Sequence, residues 1–168
     1  MKSASLVALL ALLVLGPACS KKVESSAKAP AGSGLAESYW LAAAPGDAKP
    51  VIEAKKAAKD GDEVVLAGRV KEWTDGFAQF TMADSTLKAC SDMAEPDHCK
   101  TPWDYCCVPP EEVRAGTVTV EFRDGVDPVK ATLQGFHGLD HLKQVVVKGK
   151  VEKKGDNVIV VASGLHVR

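Results

Sequence analysis

Two segments of this chain repeat one pattern of apolar residues around a central glycine. Residues 64–70 read VVLAGRV, and residues 145–151 read VVVKGKV. A glycine weakens a strand, so its presence there is typical of a strand that bends sharply at the corner of a small barrel. Two such strands, at the first and fourth places among five, predict a closed five-stranded barrel of the oligonucleotide/oligosaccharide-binding (OB) type. Two similarly bent strands in a β-sandwich are the alternative.

The five strands are indicated by alternation of apolar and polar residues with a period of two, which begins after Asp62. They are predicted at residues 64–71, 77–82, 117–122, 145–152 and 157–162, with tight turns at residues 74–76 and 153–156. Ahead of them, a helical segment is predicted over residues 37–61, with a first helix at residues 35–44 and a second that begins at Pro50 and ends at Gly61. The expected fold is mainly β, with the OB-like barrel at residues 62–168.

The N-terminus resembles a bacterial lipoprotein signal. Lys2 is positively charged, residues 6–15 are apolar, and the small residue Ala18 precedes Cys19. The apolar run is shorter than the ~20 residues of a membrane span, so residues 1–18 are expected to be a cleaved signal peptide. The resemblance implies that Cys19 is lipidated and that residues 19–36 form a flexible tether to the membrane. An ordinary secretory signal cut at the same small residues is the alternative.

Charge and length narrow the classes of partner. The chain has 21 basic and 22 acidic side chains without a clustered basic excess, so no nucleic acid is expected as a partner. No later apolar run is long enough to span a membrane, so the lipid is the expected membrane attachment. Ser20 follows Cys19 in place of the Asp associated with inner-membrane retention. The expected location is therefore the periplasmic face of the outer membrane.

Four cysteines fall in one predicted loop at residues 85–116, namely Cys90, Cys99, Cys106 and Cys107. Neighbouring Cα atoms lie about 3.8 Å apart, less than the ~4.4–6.8 Å of an unstrained disulfide, so a bond between Cys106 and Cys107 is not expected. Two pairings stay open: Cys90 with Cys107 and Cys99 with Cys106, or Cys90 with Cys106 and Cys99 with Cys107. Because the envelope is oxidising, these cysteines are expected to form structural disulfides.

A metal or redox site is the rival interpretation of the same loop. His98 stands beside Cys99, but the spacing C-x8-C-x6-C-C matches neither paired C-x2-C zinc ligands nor a single C-x-x-C redox motif. We therefore expect no metal and no cofactor. His137 and His141 stand four apart, yet nearby glycines disfavour a helix there, so solvated or capping roles are expected for both. His166 is expected to be an exposed strand residue.

Trp103 and Tyr105 lie within the cysteine loop and are open to two interpretations. Aromatic rings stack on bases and sugars in OB domains, so the pair is a candidate ligand contact. Alternatively, both rings fill a small apolar cluster under the loop. The sequence contains no Gly-x-Ser-x-Gly motif, no His-Glu-x-x-His motif and no phosphate-binding glycine loop, so enzymatic activity is not expected.

The run CKTPWDYCC at residues 99–107, with residues 145–151 and 158–167 behind it, resembles a family of uncharacterised bacterial lipoproteins that carry an OB-like domain. The resemblance covers residues 48–168 and implies the fold and the envelope location, without an activity. The leading hypothesis is a lipid-anchored, non-catalytic binding module for an envelope protein or glycan. The alternatives are a metal- or thiol-handling protein that uses the cysteine loop, and a structural envelope lipoprotein with no small ligand.

Overall fold

The computed structural model describes residues 34–93 and 99–168. The predicted signal peptide, Cys19 and residues 19–33 of the predicted tether lie outside the described residues, and so does His98. Five long strands carry the structure: β1 (Glu63–Trp73), β2 (Gln79–Ala83), β3 (Thr117–Glu121), β4 (Gln144–Lys154) and β5 (Asn157–Val167).

The five strands close into a barrel. Their order is β1-β2-β3-β5-β4, and β4 pairs back onto β1. Strands β3 and β5 run parallel, whereas the other four neighbouring pairs are antiparallel. A two-residue strand, Lys49–Pro50, adds alongside β1 in the parallel direction. A closed five-stranded barrel with this order is the OB topology, so the predicted fold class is confirmed.

The two glycine-centred segments are the strands that close the barrel against each other. They pair so that the glycine of each segment lies opposite the first valine of the other. A Cβ atom built on Gly68 would lie 2.5 Å from the carbonyl oxygen of Ala83, and one built on Gly149 would lie 2.5 Å from that of Val161. The register between β4 and β5 also shifts just before Gly149. Close approach of neighbouring backbones therefore requires glycine at both positions.

The hydrophobic core fills the barrel and continues beneath a short helix, α1 (Val51–Ala57). The largest fully buried side chains include Leu66, Val70, Phe80, Met82, Val120, Phe122 and Leu165. Helix α1 packs onto this core through Val51 and Ala54. It begins directly after Pro50, where the start was predicted, but it ends at Ala57 instead of the predicted Gly61, because the backbone of Ala58 is already extended. Its N-terminus is capped from a distance, because the buried Asp84 carboxylate accepts the backbone N–H of Ile52 at 2.9 Å.

The first predicted helix, at residues 35–44, is wrong. The structure has only a 3-10 turn there, Glu37–Tyr39, after which Trp40 forms a parallel bridge with Leu165 of β5. The backbone N–H of Leu41 donates to the carbonyl oxygen of Leu165 at 2.8 Å. The aromatic rings explain the difference: Tyr39 packs edge-on against Phe122 at 5.0 Å, and this packing outweighs the local preference for helix.

Two long connections leave the barrel. The one from β2 to β3 is the predicted cysteine loop, and it contains the 3-10 turn Cys90–Asp92 and a short helix, α2 (Pro110–Ala115). The one from β3 to β4 contains the paired segments Arg123–Asp124 and Asp127–Pro128 and the 3-10 turn Phe136–Gly138. Within residues 34–93 and 99–168, no helix has the length and apolar character needed to cross a membrane.

Candidate functional site

The cysteine loop packs on the barrel through a small apolar cluster of its own. The buried members of this cluster are Ala83, Leu87, Ala89 and Tyr105. Tyr105 is 2% exposed, so it fills the space under the loop and presents no surface to a ligand. The base of the loop is also closed by a backbone hydrogen bond from Cys90 to Asp104 at 2.8 Å. Of the two rings considered as ligand contacts, only that of Trp103 remains accessible.

The four cysteines of the loop meet at one place. The Sγ atom of Cys106 lies 3.1 Å from that of Cys90 and 3.9 Å from those of Cys99 and Cys107. The Sγ atoms of Cys90 and Cys107 are 4.0 Å apart. These distances exceed the ~2.05 Å of a disulfide bond, so the sulfur atoms are in contact without being bonded in these pairs. The disulfides remain a prediction. We call these four residues the sulfur cluster.

The surroundings shift the acidities of two thiols in opposite directions. Hydrogen bonding to Cys90, together with burial and the other two thiols, raises the pKa of Cys106 to about 12. Hydrogen bonds with the side chain and backbone of Thr101 lower the pKa of Cys99 below its usual value. Cys99 is therefore more readily ionised than Cys106. Since the thiolate is the reactive and metal-binding form of cysteine, Cys99 is the more reactive of the two.

An open groove of ≈ 580 Å³ lies between the cysteine loop and the β3–β4 connection. It is lined by Ser91, Pro102, Trp103, Gln134, Asp140, His141 and Leu142. The indole ring of Trp103 stacks on the imidazole of His141, with 4.6 Å between ring centroids and 18° between planes. The Nδ1 atom of His141 lies 2.9 Å from the carbonyl oxygen of Lys71 on β1, which orients the imidazole. The barrel therefore positions one half of the stack and the loop positions the other.

Two polar side chains stand beside this stack. The amide nitrogen of Gln134 donates to the Asp140 carboxylate at 3.2 Å, and the backbone N–H of His141 donates to the same carboxylate oxygen at 2.8 Å. Sequence reasoning missed these residues as part of a site. No local motif connects them to Trp103, because the two connections that carry them are separated by β3 in the chain.

The structure does not bring His137 and His141 together as a ligand pair. His137 stacks on Trp40 at 3.9 Å and lies 2.8 Å from the Glu37 carboxylate through Nε2, whereas His141 stacks on Trp103. His166 is half-buried instead of exposed, because it also stacks on Trp40, at 5.6 Å. These histidines therefore help to hold the N-terminal segment and the groove in place.

A second groove, of ≈ 480 Å³, lies between α1 and β1. It is lined by three alanines, by the first residues of β1 and by charged residues, namely Ala54, Ala57, Ala58, Glu63, Val64, Val65, Leu66, Asp47, Lys49, Asp62 and Lys148. None of the residues that line it is aromatic. Because it lacks a flat ring that binds a ligand face, we take the groove at Trp103 as the candidate site.

No family model matches the chain, and no curated protein matches it, so the resemblance to a lipoprotein family remains a prediction. The solved structures that are similar to it include three with low sequence identity. The hypothetical protein ygiW from E. coli matches over 73% of this chain and 91% of its own, with 16% identity and a TM-score of 0.39. The OBody AM1L10, in a structure bound to hen egg-white lysozyme, matches over 76% and 96%, with 20% identity and a TM-score of 0.44.

Aspartyl tRNA synthetase from Entamoeba histolytica matches over 95% of this chain and 28% of the synthetase, with 11% identity and a TM-score of 0.46. These low scores leave the fold assignment to the strand order and the closure of the barrel itself.

Proposed function

We propose that this protein is a lipid-anchored, non-catalytic protein of the bacterial envelope whose OB-like barrel binds a glycan in the groove at Trp103. The anchor is Cys19, and the location is the periplasmic face of the outer membrane. The observation that carries the glycan proposal is the stack of Trp103 on His141 beside Asp140 and Gln134.

The chemistry of the groove suits a sugar ring. A pyranose presents a flat face of C–H groups, which stacks on an indole, and a rim of hydroxyl groups, which bond to carboxylates and amides. Trp103 offers the aromatic surface, and Asp140 and Gln134 offer the polar partners at its edge. The Lys71 carbonyl fixes His141, so the platform is formed before the ligand arrives and loses little entropy on binding.

Binding is tested with the mature lipoprotein in detergent micelles and two probes, purified peptidoglycan sacculi and soluble N-acetylglucosamine oligosaccharides. Wild-type protein is expected to sediment with the sacculi and to change its tryptophan fluorescence with the oligosaccharides. Trp103→Ala removes the stacking surface, which is typically worth ~1–3 kcal/mol, so its affinity is expected to fall roughly 5- to 150-fold.

Val126→Ala is the matched control, because Val126 is an apolar residue with 83% of its surface exposed that does not line the groove. It is expected to bind as the wild type does. Equal binding by Trp103→Ala and the wild type would refute the site. Absence of binding to both probes would favour the alternative of a structural envelope lipoprotein without a small ligand.

A further inference from the structure

The sulfur cluster has the dimensions of a metal site. Its central atom is the Sγ of Cys106, which contacts the sulfur atoms of all three other members at 3.1 to 3.9 Å. The Sγ atoms of Cys90, Cys106 and Cys107 also lie within 4.8 Å of one another. Three thiol sulfurs are thus close enough to bind a common ion, and the fourth, that of Cys99, lies 3.9 Å from Cys106 but outside this group of three.

Tetrahedral geometry gives the expected spacing. A zinc–thiolate bond is about 2.3 Å, which places the sulfur atoms of a tetrahedral site roughly 3.8 Å apart. A tetrahedron has six such edges. Four of the six sulfur pairs are in contact here, and three of these contacts measure 3.9, 3.9 and 4.0 Å, close to the tetrahedral edge. The fourth, between Cys90 and Cys106, is 3.1 Å and opens to the tetrahedral edge by a small side-chain rotation. A disulfide, by contrast, requires each bonded pair to close to ~2.05 Å.

We propose that, in its reduced state, this protein binds one thiophilic metal ion through the thiolates of Cys90, Cys106 and Cys107, with Cys99 moving in from beside Cys106 as the fourth ligand. Four thiolates are soft ligands, and such a set selects zinc or monovalent copper over calcium, magnesium or manganese. None of the four cysteines lines the glycan groove, so the two sites bind through different side chains.

The loop is built to hold these sulfur atoms. Cys90 begins a 3-10 turn whose first backbone N–H, that of Ala89, donates to the Asp92 carboxylate at 3.0 Å. Asp92 is held in turn by an ion pair with Arg69 of β1. The buried Cys90 is therefore anchored to the barrel, while Cys106 and Cys107 are exposed and leave a path for the ion to enter. Outer-shell bonds of this kind orient the ligands of metal sites.

Metal binding and disulfide formation exclude each other, because both use the same four sulfur atoms. The predicted disulfide form has four fewer hydrogens and no thiolate to offer a metal. The redox state of the cluster therefore determines whether the site exists, and the experiment must start from reduced protein.

Cobalt(II) serves as the probe, since it occupies zinc sites and reports thiolate ligands in its absorption spectrum. The mature chain is reduced with a phosphine and titrated anaerobically with Co²⁺. The expected result is saturation at one equivalent, with a thiolate-to-cobalt charge-transfer band and the intense visible bands of a tetrahedral ion, both lost on addition of Zn²⁺. Absence of these bands in reduced, folded protein would overturn the proposal.

Cys106→Ser removes the central ligand at an exposed position, and Ser163→Ala, at an exposed position on β5, is the control. Cobalt affinity is expected to fall by at least ~100-fold in Cys106→Ser, beyond the ~10- to 100-fold typical of losing an outer-shell partner, and to stay unchanged in Ser163→Ala. Thermal midpoints with and without Zn²⁺ give a second readout: the metal should raise the midpoint of the wild type and not that of Cys106→Ser. Identical cobalt spectra and affinities in Cys106→Ser and wild type would refute the four-sulfur site.

Discussion

Alanine in place of Gly68 or Gly149 is expected to destabilise the barrel, because neither position has room for a Cβ atom. At Gly68 the new atom would lie 2.5 Å from the carbonyl oxygen of Ala83 and 2.8 Å from the terminal methyl of Met82. The methionine side chain can move aside, but the carbonyl belongs to the neighbouring strand. Relief of that contact therefore requires β1 and β2 to separate.

The clash at Gly149 is more severe. A Cβ atom there would meet the carbonyl oxygen of Val161 at 2.5 Å and the Cα atom of Ala162 at 3.0 Å, and both are backbone atoms of β5. Overpacking of this kind costs about 1–3 kcal/mol, and we expect Gly149→Ala to cost more than Gly68→Ala. Valine at either position should be worse than alanine, because it adds two methyl groups to the same contact.

Urea and thermal unfolding of Gly68→Ala, Gly149→Ala and the wild type measure these losses of stability. Gly46→Ala is the control, because a Cβ atom on Gly46 meets nothing within 4 Å, and its free energy of unfolding should stay within about 0.5 kcal/mol of the wild type. For a chain of this size, 1 kcal/mol lowers the midpoint by roughly 2–4 °C, so the barrel variants should lose about 2–12 °C. Wild-type midpoints for both barrel variants would refute the close approach of these strands.

Three further predictions concern the anchor and the packing. Asp84→Ala should lower the free energy of unfolding by about 1–3 kcal/mol at pH 7. Burial raises the pKa of Asp84, but hydrogen bonds from Ile52 and Thr86 outweigh burial, so the net effect is a lowered pKa. The stability difference from wild type, measured by urea titration, should therefore shrink as the pH falls below ~4 and the carboxylate is protonated. Cys19→Ala should release the protein from membranes in cell fractionation. Recovery of this variant in the membrane fraction would contradict the lipidation of Cys19. Trp40→Ala should lower the thermal midpoint without weakening glycan binding. Its loss of stability should be smaller than the ~3–5 kcal/mol typical of replacing a fully buried tryptophan by alanine.

The barrel could be predicted from the sequence because the sequence patterns that indicate it are local. Alternating strands, a glycine at the same place in two of them and Pro50 before α1 each report on neighbouring residues only. The prediction for the segment around Trp40 was wrong because the signals that determine its structure are not local. Its leucine and alanine residues favour helix locally, yet its conformation is decided by contacts with β5 and with His137, which no window of sequence contains.

The candidate site could be predicted only in part, because it too depends on contacts between distant parts of the chain. Cysteine spacing placed four thiols in one loop, but it did not match a known ligand motif, and only the folded loop shows that Cys106 contacts the other three sulfur atoms. Trp103 was identified as a possible ligand contact, whereas a solvated or capping role was expected for His141. Their stack exists because β1 supplies the Lys71 carbonyl that orients the imidazole from a third part of the chain.

The two proposed sites share one stretch of chain, and this links their energetics. Trp103 lies between Cys99 and Cys106, so the ring that stacks on His141 is carried by a segment with a sulfur ligand at each end. A metal ion bound to both cysteines restricts that segment and reduces the entropy that Trp103 loses when it binds a sugar. By linkage, a glycan that orders Trp103 must then raise the affinity for the metal by the same factor. Glycan titrations of reduced protein with and without Zn²⁺ should therefore differ in the wild type and coincide in Cys106→Ser.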